Sequence, residues 1–582
     1  MKKFLKYFLV LLGGFAIGII TLILVFAIAI SSFKIGEENE IKIQENTVLT
    51  LTLPTEIRDQ GIEDPFSELF GNSDESNTLG LNDLKEIFQR AAVDSKIKGI
   101  VLKPGLYSGG LANADEIRSY IKEFRKSSKW VISYGELYTE QGFYVGSACN
   151  EIYVNPKGML EFNGLSSNIV MYKGLMEKLG VNFQVFKVGK FKGAVEPFIL
   201  DKLSEENKFQ IKTYLESLYK HQVAEIALSR NKNYDSTWNL AMKGSVFMAK
   251  DAKLNGLVDD LLYENQIWDK IKNKSKEYHK IGFDKYLKSE DNYKYSENQI
   301  AVIYASGEIT PGSSNSDDGI ASETFIKEII KAKNDNSVKA IVIRVNSPGG
   351  SSMASDIIAN EIKIAKTIKP VIISFGNVAA SGGYYISCVA DSIFALPNTL
   401  TGSIGVFAMI ANTENLFGQK LGLKYESVNV GDMAEIWRPD QPLNAAQSMM
   451  MQKAVDEIYD DFITIVSDGR HIEKNRVDEL AQGRVYSGID ALNLKLIDGI
   501  GGLDRAILAA SRKAKLKDYR VIEFPENKSF IDKLINKTTD NESKIETLMS
   551  QMGMSAKTIR EIKSVQNLQG FQTRIPWSIE IR

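Results

Sequence analysis

The sequence predicts an α/β protein built from two tandem copies of one domain, preceded by a single transmembrane helix. Three observations support this prediction: an uncharged stretch near the N-terminus, a repeat at an offset of 241 residues, and short apolar runs that alternate with amphipathic stretches. The 582 residues exceed what one hydrophobic core usually organises, and 44% of them are hydrophobic. A globular body of more than one domain is therefore expected.

The first element is the uncharged stretch from Phe8 to Ile30. As a helix, its 23 residues are long enough to cross a bilayer core of about 30 Å. They also exceed the apolar core of a cleavable signal peptide. Lysines precede the stretch and glutamates follow it, so the positive-inside tendency predicts a cytoplasmic N-terminus. We predict a membrane anchor over residues 1–33, with the body outside the cytoplasm.

The globular body repeats itself. Val131–Gly135 matches Ile372–Gly376 at the offset of 241, and Asp251–Asp259 resembles Asp490–Asp498 further along. The matches divide the body into an N-terminal repeat over residues 45–285, a C-terminal repeat over residues 298–528 and a polar tail over residues 529–582. The tail has no counterpart in the first repeat, so the duplication predicts no role for it.

Within each repeat, short apolar runs alternate with amphipathic stretches. The runs Ala340–Val345 and Val371–Phe375 predict strands, and Glu323–Lys333 predicts a helix. Because the runs are apolar on both faces, we expect a sheet that is covered by helices on each side. Each repeat is therefore predicted to be an α/β domain.

Charge and cysteine content argue against several classes of protein. With 71 basic and 73 acidic residues the net charge is −2, so the excess of positive charge typical of nucleic-acid binding is absent. Cys149 and Cys388 are too few for a disulfide framework, and they are expected to be small buried side chains. We expect no nucleic acid, no metal and no cofactor.

A serine in the second repeat is the candidate nucleophile. Ser381 follows the predicted strand Val371–Phe375 within Ala379–Tyr384, where small neighbours leave its hydroxyl accessible. A helix that begins after it would aim backbone N–H groups at developing negative charge. The motif is not G-x-S-x-G and does not predict a nucleophile elbow. Taken alone, it favours a tight turn with a capping serine.

Paired glycines beside the predicted strands are candidate oxyanion donors. Gly349 and Gly350 lie in the loop after the strand Ala340–Val345, and Gly382 follows the serine. Their N–H groups can approach a substrate carbonyl closely because no side chain intervenes. The first repeat keeps a glycine pair near the corresponding place, so backbone geometry explains Gly349 and Gly350 equally well.

A lysine is the better candidate for the general base. The three histidines all lie in charged or polar surroundings, which lowers the odds of a Ser-His-Asp triad: His221, His279 and His471. Lys192 lies in the segment Phe186–Phe198, whose apolar residues can desolvate its amine and lower its pKa. We expect Lys187 or Lys190 to add positive potential. Composition alone would favour a solvated lysine.

The repeat strengthens the case for this pair. Ser381 aligns with Glu140, so the first repeat has no nucleophile, and Lys192 aligns with Ala434, so the second repeat has no base. Each repeat lacks what the other has. This is expected if one active site is assembled from two duplicated domains.

A further polar turn, Thr399–Gly405, carries Ser403. Its hydroxyl could hold the amine of Lys192 by a hydrogen bond, and its counterpart in the first repeat is Phe162. A turn or capping serine is an equally good interpretation of this residue.

Together these motifs resemble the long, two-repeat form of the signal peptide peptidase A (protease IV) family of bacterial membrane proteases. The resemblance spans nearly the whole globular body. It includes four segments with family motifs: Phe191–Phe198, Ser347–Gly350, Ala379–Tyr384 and Thr399–Gly405.

The resemblance implies a ClpP/crotonase-like fold for the repeats and a Ser–Lys dyad of Ser381 and Lys192. It also implies that Ser403 is a supporting hydroxyl, with Gly350 and Gly382 as oxyanion donors. A homotetramer is implied as well, held in the bacterial inner membrane with its catalytic body in the periplasm. The implied substrates are cleaved signal peptides and other apolar peptides.

Two other functions compete with this interpretation. A crotonase-fold enzyme that acts on acyl-CoA thioesters would share the paired-glycine loops, but it would need neither an export anchor nor a serine matched to a remote lysine. A membrane scaffold with a degenerate protease fold is a second alternative. Retention of both Ser381 and Lys192 argues against that scaffold.

Overall fold

The computed structural model describes residues 41–61, 79–275, 277–289, 296–314, 319–431, 433–525 and 571–575. These residues form three sheets, one from each repeat and a third that joins the repeats. The predicted anchor lies outside the described residues. Among the residues that are described, no helix has the length and apolar character needed to cross a membrane.

The first repeat forms a parallel sheet with the strand order β6-β4-β3-β2-β1-β7. Its strands are β1 (Thr47–Thr52), β2 (Ile97–Lys103), β3 (Trp130–Tyr138), β4 (Glu151–Leu160), β5 (Asn182–Val188), β6 (Asp260–Leu261) and β7 (His279–Gly282). Its helices are α1 (Leu81–Val93), α2 (Leu111–Arg125), α3 (Glu140–Gly146), α4 (Lys173–Leu179), α5 (Glu196–Ile199), α6 (Glu205–Ser229), α7 (Tyr234–Met242), α8 (Ala249–Leu254), α9 (Glu264–Ser275) and α10 (Phe283–Leu287). Strand β5 leaves this sheet and joins the third one.

The second repeat forms a sheet with the main strand order β17-β15-β13-β11-β8-β19, with β14 beside β13 and β18 beside β14. Its strands are β8 (Gln299–Ser306), β9 (Ile309–Thr310), β10 (Ile320–Ala321), β11 (Val338–Ser347), β12 (Gly349–Ser351), β13 (Val371–Ala380), β14 (Ser392–Ala395), β15 (Leu400–Gly402), β16 (Val406–Asn412), β17 (Val485–Ser487), β18 (Gly499–Ile500) and β19 (Arg520–Phe524). Its helices are α11 (Ser322–Asn334), α12 (Ser352–Ile368), α13 (Gly382–Ser387), α14 (Ala445–Arg470), α15 (Lys474–Leu480), α16 (Gly488–Asn493) and α17 (Leu503–Lys513).

The predicted α/β architecture is confirmed in both repeats. The runs expected to be strands lie within β11 and β13, and the expected helix lies within α11. Successive residues of β11 enter different cores, because side chains alternate across a strand. Ile341 and Ile343 pack in the larger core, whereas Ala340 and Val342 pack in the smaller core under α17. Both faces of the sheet are covered, as the apolar runs predicted.

Both cysteines are buried free thiols. Burial raises the pKa of Cys149 and of Cys388 to about 12, so neither is a reactive thiolate at neutral pH. The prediction of small buried side chains instead of a disulfide is confirmed.

The third sheet joins the two repeats. Its strand order is β10-β9-β12-β20-β16-β5, where β20 (Phe571–Arg574) comes from the C-terminal tail. Strand β5 of the first repeat pairs antiparallel with β16 of the second, from Asn182 opposite Asn412 to Val188 opposite Val406. The chain reaches Lys192 soon after β5 and leaves Ser403 just before β16. This pairing therefore brings the two candidate loops together.

A buried ion cluster also joins the repeats. Arg344 on β11 is 1% exposed, and its Nε lies 2.8 Å from Asp59 Oδ1 while its Nη2 lies 2.6 Å from Glu116 Oε2. Both carboxylates belong to the first repeat and are equally buried. Glu116 also accepts the Leu503 N–H at the start of α17 at 2.8 Å. Because buried charges need partners, each repeat depends on the other to satisfy these groups.

Candidate active site

Ser381 lies at the turn between β13 and α13, and it is completely buried. Its φ of 55° and ψ of −114° are unusual for a residue with a side chain and cost of order 1–3 kcal/mol. Two hydrogen bonds hold the turn: the Ser381 N–H donates to Gly402 O, and the Tyr385 N–H donates to Ser381 O, each at 2.8 Å. The serine thus stands on a strained strand-to-helix turn, although the sequence lacks the motif that signals one.

Two glycines after the serine let α13 pack tightly against helix α12 and the end of β11. A Cβ on Gly382 would lie 2.6 Å from Ser355 Oγ, and one on Gly383 would lie 2.8 Å from Ser347 O. Both distances are shorter than van der Waals contact permits. The glycines are therefore required by packing as well as by access to a substrate.

Lys192 is delivered by a loop of the first repeat that docks on the second repeat. The Phe191 N–H donates to Gln482 O at 2.9 Å, and a Cβ on Gly483 would lie 2.7 Å from the Lys192 Cα. A 3₁₀ turn, Gly193–Val195, follows the lysine. Gly483 thus allows the lysine backbone to approach the second repeat closely.

The amine of Lys192 contacts two serines of the second repeat within one chain. Its Nζ lies 2.8 Å from Ser381 Oγ, 3.0 Å from Ser403 O and 3.1 Å from Ser403 Oγ. Burial lowers the pKa of Lys192 well below its ordinary value and so favours the neutral amine. The added contribution expected of Lys187 or Lys190 stays a prediction.

Of the three candidate oxyanion glycines, Gly382 is the best placed. Gly382 is the first residue of α13, and no acceptor for its N–H lies among the described residues. The Gly349 N–H donates to Ser347 Oγ at 3.2 Å, and Gly350 lies in β12 between β9 and β20. A Cβ on Gly349 would lie 2.7 Å from the Gly382 nitrogen, so the glycines adjoin each other. Their roles stay predictions.

Ser403 offers Lys192 two acceptors, of which the sequence suggested only the hydroxyl. Its φ is 51°, and its N–H donates to Arg484 O at 2.7 Å. This left-handed turn aims both the carbonyl and the hydroxyl oxygen at the amine. The side chain is completely enclosed, so water does not compete for these contacts.

Replacing Ser403 by alanine is expected to lower the plateau of kcat/KM by about tenfold, the usual effect of losing one hydrogen bond to a buried group. If the hydroxyl stabilises a protonated Lys192, its loss also lowers the pKa of Lys192 and moves the acid limb of the rate profile to lower pH. The measurement is kcat/KM as a function of pH. Ser387→Ala, which removes a buried hydroxyl bonded within α13, is the control and should change neither quantity. An unchanged Ser403→Ala profile would contradict the role.

The corresponding place in the first repeat is filled by its own side chains. The Gly110 N–H donates to Gln141 Oε1 at 3.0 Å, so a glycine donor like that of the second repeat is already satisfied. Glu140, aligned with Ser381, accepts from Tyr219 Oη at 2.9 Å and from the Asn163 N–H at 2.8 Å. Burial raises the pKa of Glu140 to about 8. The first repeat therefore retains the architecture without an open site.

The alternative of a histidine base receives no geometric support. None of the three histidines, all of which lie in the described part of the chain, hydrogen-bonds to Ser381. His221 instead lies 3.6 Å from Asp115 Oδ1. In the same part of the chain, no group of three or more His, Cys, Asp or Glu side chains could hold a metal ion.

Comparison with family models gives a match in each repeat. The model described as peptidase family S49 matches residues 123–277 and 363–517, and a Clp protease model matches residues 292–401. The duplication is thus recognised independently of the internal alignment. The fold is an α/β architecture with tandem S49 and Clp protease-like domains.

Individual relatives match over most of the chain. Protease 4 of Haemophilus influenzae is 34% identical over 91% of this chain and 88% of its own. The chloroplastic serine protease SPPA of Arabidopsis thaliana is 33% identical over 82% of this chain and 70% of its own. A shorter match, to the putative signal peptide peptidase SppA of Enterococcus faecium, is 38% identical over 35% of this chain and 59% of that protein.

Proposed function

Because this chain belongs to peptidase family S49 and is a serine endopeptidase, we propose that Ser381 is its nucleophile and Lys192 its general base. The observation that carries the proposal is the 2.8 Å contact between Lys192 Nζ and Ser381 Oγ inside a buried site. The desolvated amine and the strained turn under the serine support it, because both are typical of catalytic groups.

The contacts of Lys192 suit a neutral amine. A neutral amine has two N–H bonds and one lone pair, and three polar atoms surround Nζ. The N–H bonds donate to the carbonyl and hydroxyl oxygens of Ser403. The lone pair then faces the hydroxyl of Ser381 and accepts its proton. The base is oriented toward the nucleophile before a substrate arrives.

Hydrolysis would proceed in two steps at this pair. Ser381 Oγ forms a bond to the substrate carbonyl carbon while its proton moves to Lys192, and the Gly382 N–H holds the resulting oxyanion. The Lys192 ammonium, stabilised by Ser403, returns that proton to the leaving amine as the peptide bond breaks. Water then attacks the acyl-enzyme with Lys192 again as the base, which releases the acid product and restores Ser381.

The rate is expected to fall as the pH is lowered. Lys192 must be neutral to accept a proton. Burial lowers its pKa, but a sufficiently low pH still converts the amine to an ammonium. Below that folded-state pKa, kcat/KM should decline by about tenfold per pH unit, whereas above it the rate is flat until other groups titrate. Steady-state kinetics on a neutral fluorogenic peptide measures this profile. A rate independent of pH on the acid side would contradict a lysine base.

We propose that the substrates are apolar peptide segments, such as cleaved signal peptides. An apolar cluster begins at Ala380, the residue before the nucleophile, and includes Leu111, Leu218 and Leu400. The name of the Enterococcus faecium relative, putative signal peptide peptidase SppA, agrees with this class of substrate. Burial of a substrate's own apolar side chains on binding would contribute about 25 cal/mol per Å² of apolar surface removed from water.

The test compares two synthetic peptides with the full-length protein in detergent. One has the apolar core of a signal peptide, and the other has the same ends with the core leucines replaced by glutamine. We expect the apolar peptide to be cut faster, with Ser381→Ala defining the background. Equal rates would overturn the apolar preference, and turnover that Ser381→Ala does not abolish would overturn the nucleophile.

The location follows from the N-terminal stretch and is likewise proposed. We place the protein in the bacterial inner membrane, with one span over Phe8–Ile30, a cytoplasmic N-terminus and a periplasmic body. Accessibility of engineered cysteines to a membrane-impermeant reagent in whole cells tests this topology. Labelling near Lys3 instead of near the body would reverse the proposed orientation.

We also propose a homotetramer, and the duplication suggests how copies would meet. Residues 424–430 are the counterpart of β5, which pairs with β16, but in the described chain residues 421–431 belong to no helix or strand and are all exposed. Val428 and Val430 are 97% and 96% exposed. Exposed apolar segments of this kind mark interaction surfaces. By analogy with β5, this segment would pair with residues 165–171 of a neighbouring copy.

The oligomeric state tests this arrangement. Val428→Lys combined with Val430→Lys should convert the tetramer to monomers in mass photometry, because two buried charges oppose the pairing. Val93→Lys, at a valine that is 86% exposed on α1, is the matched control and should stay tetrameric. A wild-type monomer, or a double variant that remains tetrameric, would overturn the proposal.

A further inference from the structure

The C-terminal tail returns to the candidate active site as an extended strand. Residues 526–570 lie outside the described part of the chain, whereas Phe571–Arg574 forms β20. This strand inserts between β12 and β16 and pairs antiparallel with both. Strand β20 thus lies outside the second repeat, which was defined as residues 298–528, and the tail that carries it has no counterpart in the first repeat.

Strand β20 fills the space between β12 and β16, called the groove below, and both of these strands adjoin candidate catalytic residues. Strand β12 carries Gly349 and Gly350, and β16 begins directly after the loop that holds Ser403. Thr573 lies opposite Gly350, and Gln572 lies opposite Phe407 at the start of β16. The tail strand therefore crosses from the side of the candidate oxyanion donors to the side of the base.

Close backbone contacts fix the strand in this groove. The Ile575 N–H donates to Pro348 O at 2.9 Å, and Thr573 Oγ1 donates to Gly350 O at 3.2 Å. A Cβ on Gly349 would lie 2.0 Å from the Thr573 carbonyl oxygen. A peptide carbonyl thus already lies against the glycines that precede the nucleophile.

The side chains of the strand alternate between two environments. Phe571, Thr573 and Ile575 share one face: Phe571 packs on the large core, Thr573 is completely buried, and Ile575 enters the apolar cluster beside Ala380. On the other face, Arg574 Nη1 pairs with Glu308 Oε1 at 2.9 Å. The groove therefore accepts an apolar residue, a small residue and another apolar residue at alternate positions.

We propose that β20 is an intramolecular pseudosubstrate that occupies the path of an extended peptide through the site. Proteins commonly bind extended peptides by adding them as a strand at an open sheet edge, with pockets for alternate side chains. Here removal of β20 would open two such edges at once. This inference rests on the proposed roles of Ser381 and Lys192, and it adds that the tail must leave before a substrate binds.

A tethered occupant competes strongly even when its intrinsic affinity is low. Because the tail belongs to the same chain, it competes at an effective concentration that is set by its connection to the body and not by the concentration of the protein. The apparent affinity for a free peptide equals the intrinsic affinity multiplied by the fraction of molecules whose groove is open, so a small open fraction means weak binding. The tail would therefore slow cleavage of short peptides and yield to long apolar ones.

Peptide binding to an inactive protein tests the inference separately from catalysis. The probe is a fluorescein-labelled peptide with the sequence of residues 569–577, and fluorescence anisotropy measures its affinity for two forms of the Ser381→Ala chain. One form is full length, and the other ends at residue 566. We expect the shortened form to bind at least about tenfold more tightly, and a scrambled peptide to bind neither form. Equal affinity, with matching thermal unfolding of the two forms, would overturn the pseudosubstrate.

A second variant keeps the test decisive if the shortened chain unfolds. Thr573→Pro in the full-length Ser381→Ala chain removes one strand N–H and the side chain buried against Gly382, so it should release the tail and tighten binding of the probe. Unchanged binding by this variant would also overturn the inference. A wrong assignment of the proposed function would give a different result: wild-type protein would bind the probe but hydrolyse no peptide.

Discussion

Lys192→Met is expected to lower kcat on the order of 10⁴-fold while the protein stays folded, the size of effect seen when a triad member is removed from a serine protease. Methionine keeps the apolar stem of the lysine but cannot accept the proton of Ser381. Burst and steady-state kinetics on a fluorogenic peptide measure the loss. The exposed neighbour Lys190→Met is the control and should retain the wild-type rate.

The same substitution should not reduce stability at neutral pH, which separates a catalytic lysine from a structural one. The folded state lowers the pKa of Lys192, so unfolding lets the amine bind a proton and the lysine itself favours the unfolded chain. This cost is present below the unfolded pKa of about 10.4 and disappears above it. Denaturation of both proteins at several pH values measures the difference. A strongly destabilised Lys192→Met would contradict the assignment.

Arg344→Met is expected to lower the free energy of unfolding by about 3–5 kcal/mol, because it leaves Asp59 and Glu116 buried without their counter-charge. The effect on activity should be large as well. β11 leads directly to β12, which carries two of the candidate oxyanion glycines, and Glu116 fixes the start of α17. Urea denaturation followed by tryptophan fluorescence measures the stability, and peptide hydrolysis at low temperature measures the activity.

An exposed ion pair provides the comparison for this prediction. Arg476 and Glu479 are 54% and 65% exposed, and Arg476→Met should change stability by less than about 1 kcal/mol. If Arg344→Met were no more destabilising than Arg476→Met, the buried cluster would not hold the repeats together.

Much of the fold could be predicted because the same pattern of strands and helices occurs in both repeats. Apolar runs in both repeats indicated buried parallel strands, and β11, β13 and α11 contain the stretches identified from their patterns. The third sheet could not be predicted. It combines β5, β16 and β20 from three distant parts of the chain, and periodicity within a window carries no information about such pairings.

The absence of a nucleophile from the first repeat and of a base from the second repeat indicated the candidate pair. In the structure, Lys192 Nζ lies 2.8 Å from Ser381 Oγ. Other features gave no sequence signal. The unusual backbone conformation of Ser381 occurs together with its hydrogen bond to Gly402, and burial lowers the pKa of Lys192. Both are properties of tertiary packing, which composition around a residue describes only partly.

Family membership also decides between the functions considered at the outset. An acyl-CoA enzyme and a non-catalytic scaffold both shared the glycine-rich loops, but the chain matches peptidase models and protease relatives across both repeats. The glycine pairs themselves were ambiguous for a physical reason. In the first repeat the same geometry survives with Gln141 bonded to Gly110, so the backbone alone does not reveal catalysis.

The division of the site between two repeats sets the order of events during synthesis. A ribosome completes Lys192 long before Ser381, and the turn around Gln482 and Gly483 that seats the lysine loop is made later still. With the proposed roles of Lys192 and Ser381, an emerging chain carries a base without a nucleophile, then a nucleophile without a docked base. Hydrolytic capacity would then arise only when nearly the whole body has been translated, so the unfinished protease would not cut itself or its neighbours.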